Sequence, residues 1–433
     1  MQTSIDALTV LESPNIKKLF SKLYRDDEEV IARQLQRYGE LVKQYEKCFP
    51  GKPLHLFSSP GRTEIGGNHT DHNHGRVLAA SVDLDSIAAV TETGNNVVTM
   101  FSEGFERTFV VDLNDLTMKD EEKGTTEALI RGIAARFVEL GYNVGGFNAY
   151  VASDVKPGSG LSSSASIELL IGSVFNALYN ENRVKNELLA RIGQYAENRY
   201  FGKPCGLMDQ MAIAIGSFVY IDFEDPQNPK VAKITYDINA KHYSLLVVDT
   251  NDSHADLTEE YTAIPADMMA VAREFSRDVC RQINFEQLLE KIPSLREKLG
   301  DRAILRALHF FAENDRVAKL VAALKQDDFG EFLNLINESG NSSFKWLQNC
   351  FVPKTPDNQG ISLALALTDN YLAQRGKGAC RVHGGGFAGT IQVFMPNAIT
   401  EEYIQRMEKI FGHNSVEILN VRSFGPLYLN AEI

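Results

Sequence analysis

The spacing of apolar and polar residues changes along the chain and predicts a succession of different elements. Up to about residue 50, apolar positions such as 16, 19, 20 and 23 recur at helical spacing, which predicts a helical extension. Beyond Pro53 the pattern becomes that of short strands, over 53–59, 85–93, 96–102, 107–113 and 147–153. Helices are predicted near 126–140, 164–179 and 185–200.

A second unit is predicted after the segment at 217–230, where Asp, Pro, Gln and Asn cluster. It contains a strand at 243–250, a long helical stretch over about 265–348, a helix at 399–411 and strands at 416–421 and 426–429. We therefore expect an extension (1–50), an N-terminal lobe (51–225) and a C-terminal lobe (226–433). The mixture predicts an α+β protein with a cleft between two lobes.

Composition narrows the class of partner. The 433 residues include 44 Lys and Arg against 57 Asp and Glu, a net charge of −13. This length suits two domains, and the acidic balance disfavours nucleic acid and anionic membranes. No apolar run reaches the roughly 18 residues of a membrane-spanning helix, and the N-terminus lacks a signal-peptide pattern. We expect a cytoplasmic protein that acts on a small molecule, with its five scattered cysteines as free thiols.

The strongest motif is a glycine- and serine-rich loop, PGSGLSSSAS at 157–166, directly before a predicted helix. Glycines let backbone N–H groups approach an anion, and a helix N-terminus adds partial positive charge. One serine would suffice as a helix cap, so three consecutive serines favour a phosphate-binding loop with hydroxyls available for phosphate or Mg²⁺. The GK[ST] of a Walker loop is absent.

A polar segment, GRTEIGGNHTDHNH at 61–74, follows the first predicted strand and should lie at a strand end facing the cleft. Asn68 and Asp71 can bind sugar hydroxyls, and Arg62 can stabilise anionic charge. A metal site formed by Asp71 and the histidines of this segment is the alternative. We prefer hydroxyl recognition because consecutive positions point in different directions, and the last two histidines also fit a polar surface turn.

Two carboxylates form the third candidate. Glu197 lies at the end of a predicted helix, and Asp209 follows within GLMDQ at 206–210, beyond a Gly-Lys-Pro turn. Such a pair can divide the work, since one carboxylate can hold a cation while the other engages a substrate hydroxyl.

A glycine-rich turn, HGGGFAG at 383–389, is the fourth candidate. It matches G-x-G-x-x-G, but a strand rather than a helix follows it, which argues against a dinucleotide-binding fold. The turn indicates a close approach of backbone to a ligand or to another segment. Phosphate contact and a purely structural β-turn both remain open.

In this order, the four segments resemble the galactokinase family, within the superfamily of galacto-, homoserine, mevalonate and phosphomevalonate (GHMP) kinases. PGSGLSSSAS and GGGFAG are typical of the superfamily, and GR-x-x-x-x-G-x-HTD with CGLMDQ is typical of the galactokinase branch. The resemblance implies a two-lobed fold, with an N-terminal α/β lobe and a ferredoxin-like C-terminal lobe. It also implies an ATP- and Mg²⁺-dependent kinase for the anomeric hydroxyl of galactose. We expect a monomer without nucleic-acid or membrane partners.

The resemblance further implies roles for single residues. Asp209 matches the catalytic aspartate and Arg62 the arginine beside it, while Ser164 and Glu197 match Mg²⁺-associated residues. The implied sugar-binding residues are Asn68, His69, Asp71, Gly206 and Tyr261. The implied nucleotide-binding residues are Pro157, Gly158, Ser159, Gly160, Leu161, Ser162, Ser163, Ser164, Ser102, Gly385 and Gly386.

The chain departs from the family pattern at two positions of the polar segment at 61–74, which we call the sugar segment, and at two positions outside it. Glutamate is usual at position 68 and asparagine at position 64, whereas this chain has Asn68 and Glu64; Thr126 and Gly340 replace a usual tryptophan and histidine. One exchanged polar group in a buried site can change substrate preference by roughly 10⁴-fold while leaving the chemistry intact. Galacturonate and arabinose therefore remain alternatives to galactose. A non-catalytic sensor of sugar and ATP and a metal-dependent hydrolase are the competing functions, and the complete catalytic set favours the kinase.

Overall fold

The computed structural model describes residues 2–3, 8, 11–156, 158–252 and 257–431, and this part of the chain contains both helices and strands. The strands are β1 (Gln2–Thr3), β2 (Pro53–Gly66), β3 (Arg76–Glu92), β4 (Val97–Ser102), β5 (Phe109–Asp112), β6 (Phe147–Ser153), β7 (Phe218–Asp222), β8 (Lys230–Ile234), β9 (Tyr243–Asp249), β10 (Ala379–Val382), β11 (Thr390–Pro396), β12 (Val416–Leu419) and β13 (Leu427–Tyr428). The α-helices are α1 (Pro14–Leu23), α2 (Glu28–Cys48), α3 (Thr126–Glu139), α4 (Ser163–Asn180), α5 (Asn186–Ala196), α6 (Met208–Ile215), α7 (Thr258–Arg273), α8 (Phe285–Lys325), α9 (Phe329–Ser342), α10 (Gly360–Arg375) and α11 (Thr400–Phe411). Short π-helical turns follow α5 (Glu197–Phe201) and α9 (Ser343–Leu347).

Two helices, α1 and α2, occupy most of the N-terminal segment. The Ser13 hydroxyl caps α1 by accepting from the Ile16 amide at 3.3 Å, and the Asp27 carboxylate caps α2. The buried apolar faces of both helices form one cluster with Leu54 and Leu56 of β2. The extension therefore packs directly on the main body.

A nine-stranded sheet forms the first lobe, in the order β1-β2-β3-β6-β4-β5, with β13 beside β2, β7 beside β3 and β8 beside β7. Its central strand is β3, of which the sequence pattern predicted only the second half. Residues 77–91 of β3 are buried without interruption. A strand that is covered on both faces lacks the polar–apolar alternation by which a strand is recognised.

The second sheet has four antiparallel strands in the order β10-β11-β9-β12. In chain order its elements run strand, helices, two strands, helix, strand, which is the ferredoxin-like arrangement. Leu246 and Val248 of β9 face α10 and α11, whereas Leu245 and Val247 face α8 and α9. Helices thus cover both sides of this sheet.

The long helical stretch expected over 265–348 is divided. Helix α7 ends at Arg273, and α8 begins after Asn284, whose side chain accepts from the Gln287 amide. Within α8, Gly300 has φ 77° and ψ 174°, so the helix is interrupted there. The expected boundary between residues 225 and 226 lies in the turn between β7 and β8, which pair with each other.

Candidate active site

The glycine- and serine-rich segment forms a loop that leads into the N-terminus of α4; we call residues 158–164 the anion loop. Gly158 and Gly160 have φ values of 80° and 74°, and Ser162 also adopts a left-handed conformation with φ 60°. The Ser159 hydroxyl donates to the Lys156 carbonyl at 2.7 Å. Ser163 opens the helix, so the helix N-terminus, with its free backbone N–H groups, directly follows the loop. Pro157 lies outside the described residues.

Asp209 and Arg62 meet beside this loop. Arg62 Nε donates to Asp209 Oδ1 at 2.7 Å, and its Nη1 donates to the Gly160 carbonyl. The Ser162 hydroxyl donates to Asp209 Oδ2. The Arg62 amide also donates to the carbonyl of the buried Leu161 at 3.0 Å. These contacts join β2, the anion loop and the first turn of α6.

The electrostatics of this cluster keep Asp209 ionised. Burial alone would raise the pKa of the Asp209 carboxyl, but the Arg62 guanidinium, the Ser162 hydroxyl and Lys203 together hold this pKa below its ordinary value. The Asp209 side chain remains 31% exposed, so a substrate can reach it.

Ser164, in the first turn of α4, lies beside Glu197, which begins the π-helical turn after α5. The Ser164 hydroxyl donates to Glu197 Oε1 at 3.0 Å, and Lys203 Nζ donates to the same oxygen at 3.3 Å. A hydroxyl and a carboxylate next to a phosphate-binding loop fit Mg²⁺, which takes oxygen ligands from one or two side chains and from substrate phosphates.

Three of the implied sugar-binding residues, His69, Asp71 and Tyr261, each contact a glycine of another motif. The Asp71 carboxylate packs against Gly206 so closely that a Cβ at position 206 would lie 2.2 Å from Asp71 Oδ2. His69 Nε2 lies 3.0 Å from the Gly385 carbonyl, and the Tyr261 hydroxyl donates to the Gly386 carbonyl at 3.1 Å. Burial lowers the pKa of His69 to about 4, so the imidazole is neutral at pH 7.

Asn68 is placed differently from its neighbours His69 and Asp71. Its side chain is buried at 1% exposure, and its Nδ2 donates to Glu64 Oε1 at 3.1 Å. Glu64 in turn accepts from Arg381 Nη2 at 2.7 Å. The structure therefore brings Asn68 to the site but not to its open surface.

Two further hypotheses from the sequence concern a metal site among the histidines at 69–74 and a nucleotide contact by Ser102. Among the described residues, no group of three or more His, Cys, Asp or Glu side chains is arranged to hold a metal ion, and this includes the histidines of 69–74. Ser102 lies at the end of β4, where it pairs with β6, and its assignment to the nucleotide stays a prediction.

Sequence reasoning missed two buried residues behind Glu197. Gln210 Nε2 donates to Glu197 Oε2 at 2.9 Å and to Glu168 Oε2 at 3.0 Å, so one amide holds two carboxylates. The signal was available, because Glu168 lies four residues after Ser164 and therefore on the same helix face. Burial and the neighbouring Glu197 raise the pKa of Glu168 well above its usual value.

Family models match two parts of the chain. The model described as the GHMP kinases N terminal domain matches residues 128–217, which include the anion loop and Asp209. The model described as the galactokinase galactose-binding signature matches residues 43–92, which include Arg62, Asn68 and Asp71.

Similar proteins and solved structures agree with these matches. The galactokinase of Streptomyces coelicolor is 29% identical over 86% of this chain and 92% of its own length, and that of Clostridium tetani is 28% identical over 71% and 78%. The crystal structure of Lactococcus lactis galactokinase complexed with galactose covers 90% of this chain and 99% of its own, with a TM-score of 0.76 at 22% identity. A mevalonate kinase structure covers 84% and 98%, with a TM-score of 0.60 at 15% identity. The predicted two-lobed α+β fold is confirmed.

Proposed function

Because the chain belongs to the galactokinase family of the GHMP kinases, we propose that it transfers the γ-phosphoryl group of ATP to the anomeric hydroxyl of galactose. The observation that carries the proposal is the ionised Asp209 carboxylate, which is tied by Arg62 and Ser162 to the loop that would hold the phosphates. Phosphoryl transfer needs mainly positioning and neutralisation of charge, and these contacts supply both.

In the proposed reaction, the sugar C1 oxygen forms a bond to the γ-phosphorus while the bond from this phosphorus to the β–γ bridging oxygen breaks. The proton of the C1 hydroxyl passes to Asp209, and the electron pair of the broken bond stays on ADP. Since the pKa of Asp209 is low, this carboxylate is a weak base that first orients the hydroxyl and accepts its proton late. Arg62 offsets negative charge on the transferred group.

Ser164 and Glu197 would hold Mg²⁺, which when bound neutralises charge on the β- and γ-phosphates. Lys203, which shares Glu197 Oε1 with the Ser164 hydroxyl, orients that carboxylate.

The charges around the sugar segment support a neutral sugar. Three cations of the described site have carboxylate partners: Arg62 pairs with Asp209, Arg381 with Glu64, and Lys203 with Glu197. Asp71 adds a negative charge beside Gly206, and His69 is neutral. A sugar carboxylate would have to displace one of these ion pairs, so galactose is favoured over galacturonate.

A substrate screen tests the proposal. ADP release is measured with ATP, MgCl₂ and one of galactose, galacturonate, arabinose, glucose, N-acetylgalactosamine or mevalonate. We expect turnover with galactose and little with galacturonate. Turnover with mevalonate alone would overturn the assignment, and turnover with galacturonate alone would overturn the substrate. ADP release without any acceptor, or none with any sugar, would count against a sugar kinase.

Asp209→Asn tests the role of the carboxylate. The variant keeps the shape of the side chain but removes its charge, so we expect kcat to fall by about 10³-fold or more. Binding of a non-hydrolysable ATP analogue, measured by calorimetry, should be retained. Asp209 bonds to the Ser162 hydroxyl of the loop, whereas the backbone N–H groups of the loop would hold the phosphates. A kcat within tenfold of the wild-type value would contradict the assigned role.

A further inference from the structure

The Asn68 amide has no bonding capacity left for a ligand. Its Nδ2 donates to Glu64 Oε1 at 3.1 Å and to the Gly384 carbonyl at 2.7 Å. Its Oδ1 accepts from Asn349 Nδ2 at 2.8 Å and from the Ser343 hydroxyl at 3.4 Å. A primary amide offers two donors and one oxygen with two lone pairs, and all four are used.

The orientation of this amide follows from its neighbours. If the amide were turned over, its oxygen would face the Glu64 carboxylate and the Gly384 carbonyl, both of which only accept. The backbone is held as well, since His309 Nε2 lies 3.0 Å from the Asn68 carbonyl. A residue that is buried at 1% exposure and bonded in this way is part of the protein framework.

The atoms bound by Asn68 lead to the glycine-rich turn at 383–389, which we call the glycine turn. Asn349 Nδ2 donates to the Gly385 carbonyl at 3.1 Å as well as to Asn68. A Cβ at Gly386 would lie 2.1 Å from the Asn349 carbonyl oxygen, so this glycine permits the contact. Asn68 and Asn349 therefore fix the glycine turn from two sides.

The glycine turn in turn touches the anion loop. A Cβ at Gly160 would lie 2.7 Å from His383 Nδ1, so the imidazole packs directly on the loop backbone. His383 is held by Thr63 and Thr390, with its ring nitrogens 2.9 and 3.0 Å from their hydroxyls. Gly160 is also the residue whose carbonyl accepts from Arg62.

From this continuous set of contacts we infer that Asn68 is a positioning residue rather than a sugar ligand. It fixes the glycine turn, and through His383 the anion loop, relative to the segment that carries His69 and Asp71. The inference rests on the proposed sugar-kinase function and replaces the sugar-binding role that the sequence predicts for Asn68. Its consequence is that a change at position 68 alters nucleotide binding as well as sugar binding.

The test is Asn68→Asp, which keeps the shape but replaces the donor by a carboxylate next to Glu64 and the Gly384 carbonyl. Binding of a non-hydrolysable ATP analogue with MgCl₂ is measured by calorimetry without sugar, and KM for galactose and for ATP is measured in turnover. We expect about tenfold weaker analogue binding and a rise of both KM values, because a buried group left unpaired commonly costs about that factor or more.

Asn180→Asp is the matched control. Asn180 is buried at 2% exposure and its amide donates to the Asn143 and Phe175 carbonyls, at the far end of α4 from the anion loop. We expect it to lower stability while leaving analogue binding and both KM values within about twofold of wild type. The double variant Glu64→Gln/Asn68→Asp, which restores a donor between positions 64 and 68, should recover part of the lost analogue affinity.

Asn349→Ala covers the case in which Asn68→Asp does not fold. It removes the hydrogen bond to the Gly385 carbonyl while leaving residue 68 unchanged. The inference again predicts weaker analogue binding and a rise of both KM values. A change in the galactose KM alone would show that Asn68 is a sugar ligand and overturn the inference, as would unchanged nucleotide binding in both variants. Absence of turnover in the wild type would reject the proposed function, yet the calorimetric comparison would still test the inference.

Discussion

Ser162 combines backbone strain with a site contact. It has φ 60° and ψ 63°, a region that costs a residue with a Cβ roughly 1–2 kcal/mol, and its hydroxyl donates to Asp209. The strained conformation turns the chain into α4 and directs the hydroxyl towards the carboxylate. We therefore expect two variants that both lose the Ser162 hydroxyl to have similar activity but different stability.

Ser162→Ala and Ser162→Gly form a matched pair. Both lose the hydroxyl, so we expect similar losses in kcat, of about tenfold. Glycine relieves the strain, so its free energy of unfolding should exceed that of the alanine variant by about 1 kcal/mol. Urea denaturation and steady-state assays measure the two effects. Equal stability of the two variants would show that the left-handed conformation is not maintained in solution.

His383 predicts a dependence of stability on pH. Burial and the nearby Arg62 and Arg381 lower the pKa of His383 to about 3. A group whose folded pKa is depressed contributes stability that is complete above its unfolded pKa, about 6.5, and is lost as pH falls towards 3. From this group alone, the free energy of unfolding should fall by about 2 kcal/mol between pH 7 and pH 5.

The measurement compares wild type with His383→Gln in urea at both pH values. The variant cannot bind this proton. Between pH 7 and pH 5 its free energy of unfolding should therefore decrease by about 2 kcal/mol less than that of the wild type. Identical decreases in the two proteins would mean that His383 does not titrate as its surroundings require.

At the level of elements, a buried carboxylate adds ion pairs to the apolar packing of the helical extension on the main body. Asp85 of β3 has no exposed side-chain surface and pairs with Arg37 of α2 at 2.5 Å and with Arg422, near the C-terminus, at 3.0 Å. Burial would raise the pKa of Asp85, but the two guanidiniums lower it. Three segments that are distant in sequence thus depend on one charge.

Arg37→Ala should therefore be strongly destabilising. It leaves Asp85 with Arg422 as its remaining cation, and breaking a buried pair commonly costs about 3–5 kcal/mol. Arg33→Ala, at an exposed position of the same helix, is the control and should change the free energy of unfolding by less than about 0.5 kcal/mol. Similar, small effects in both would indicate that the extension is only loosely attached.

The elements also differ in how well their sequences predict them. Helices α1 and α2 show one apolar face and N-caps at Ser13 and Asp27, so local periodicity suffices. The first half of β3 and the division of the region from α7 to α9 were missed. Strand β3 is buried on both faces, and the interruption of α8 depends on a single left-handed glycine, Gly300. Neither feature produces a simple period in the sequence.

For the whole molecule, the two lobes share a core. One buried cluster contains Ile65 and Leu78 of the first sheet, Val317 of α8, and Leu245 and Phe394 of the second sheet. Helices α8 and α9 pack within this cluster against residues of both sheets. We therefore expect the lobes to unfold together.

Calorimetry tests this expectation. The protein should show one unfolding transition, and galactose with an ATP analogue, each at about 100 times its Kd, should shift the whole transition by stabilising the folded state by about 2.7 kcal/mol per ligand. Two transitions, of which one is insensitive to ligands, would show that the lobes fold independently, as a boundary at 225/226 on its own would suggest.

The sequence by itself determined the chemistry that is available: an anion loop ahead of a helix, paired carboxylates, a polar sugar segment and a glycine turn. These are local patterns, because backbone conformation and helix termini depend on neighbouring residues. Only the tertiary structure decided which of these groups face a substrate and which hold the framework. Asn68 and Asp71 lie three residues apart in one motif, yet the first is saturated by Glu64 and by partners at 343–384, and the second lies against Gly206. The distant partners are brought together by folding, and no pattern within the motif records them.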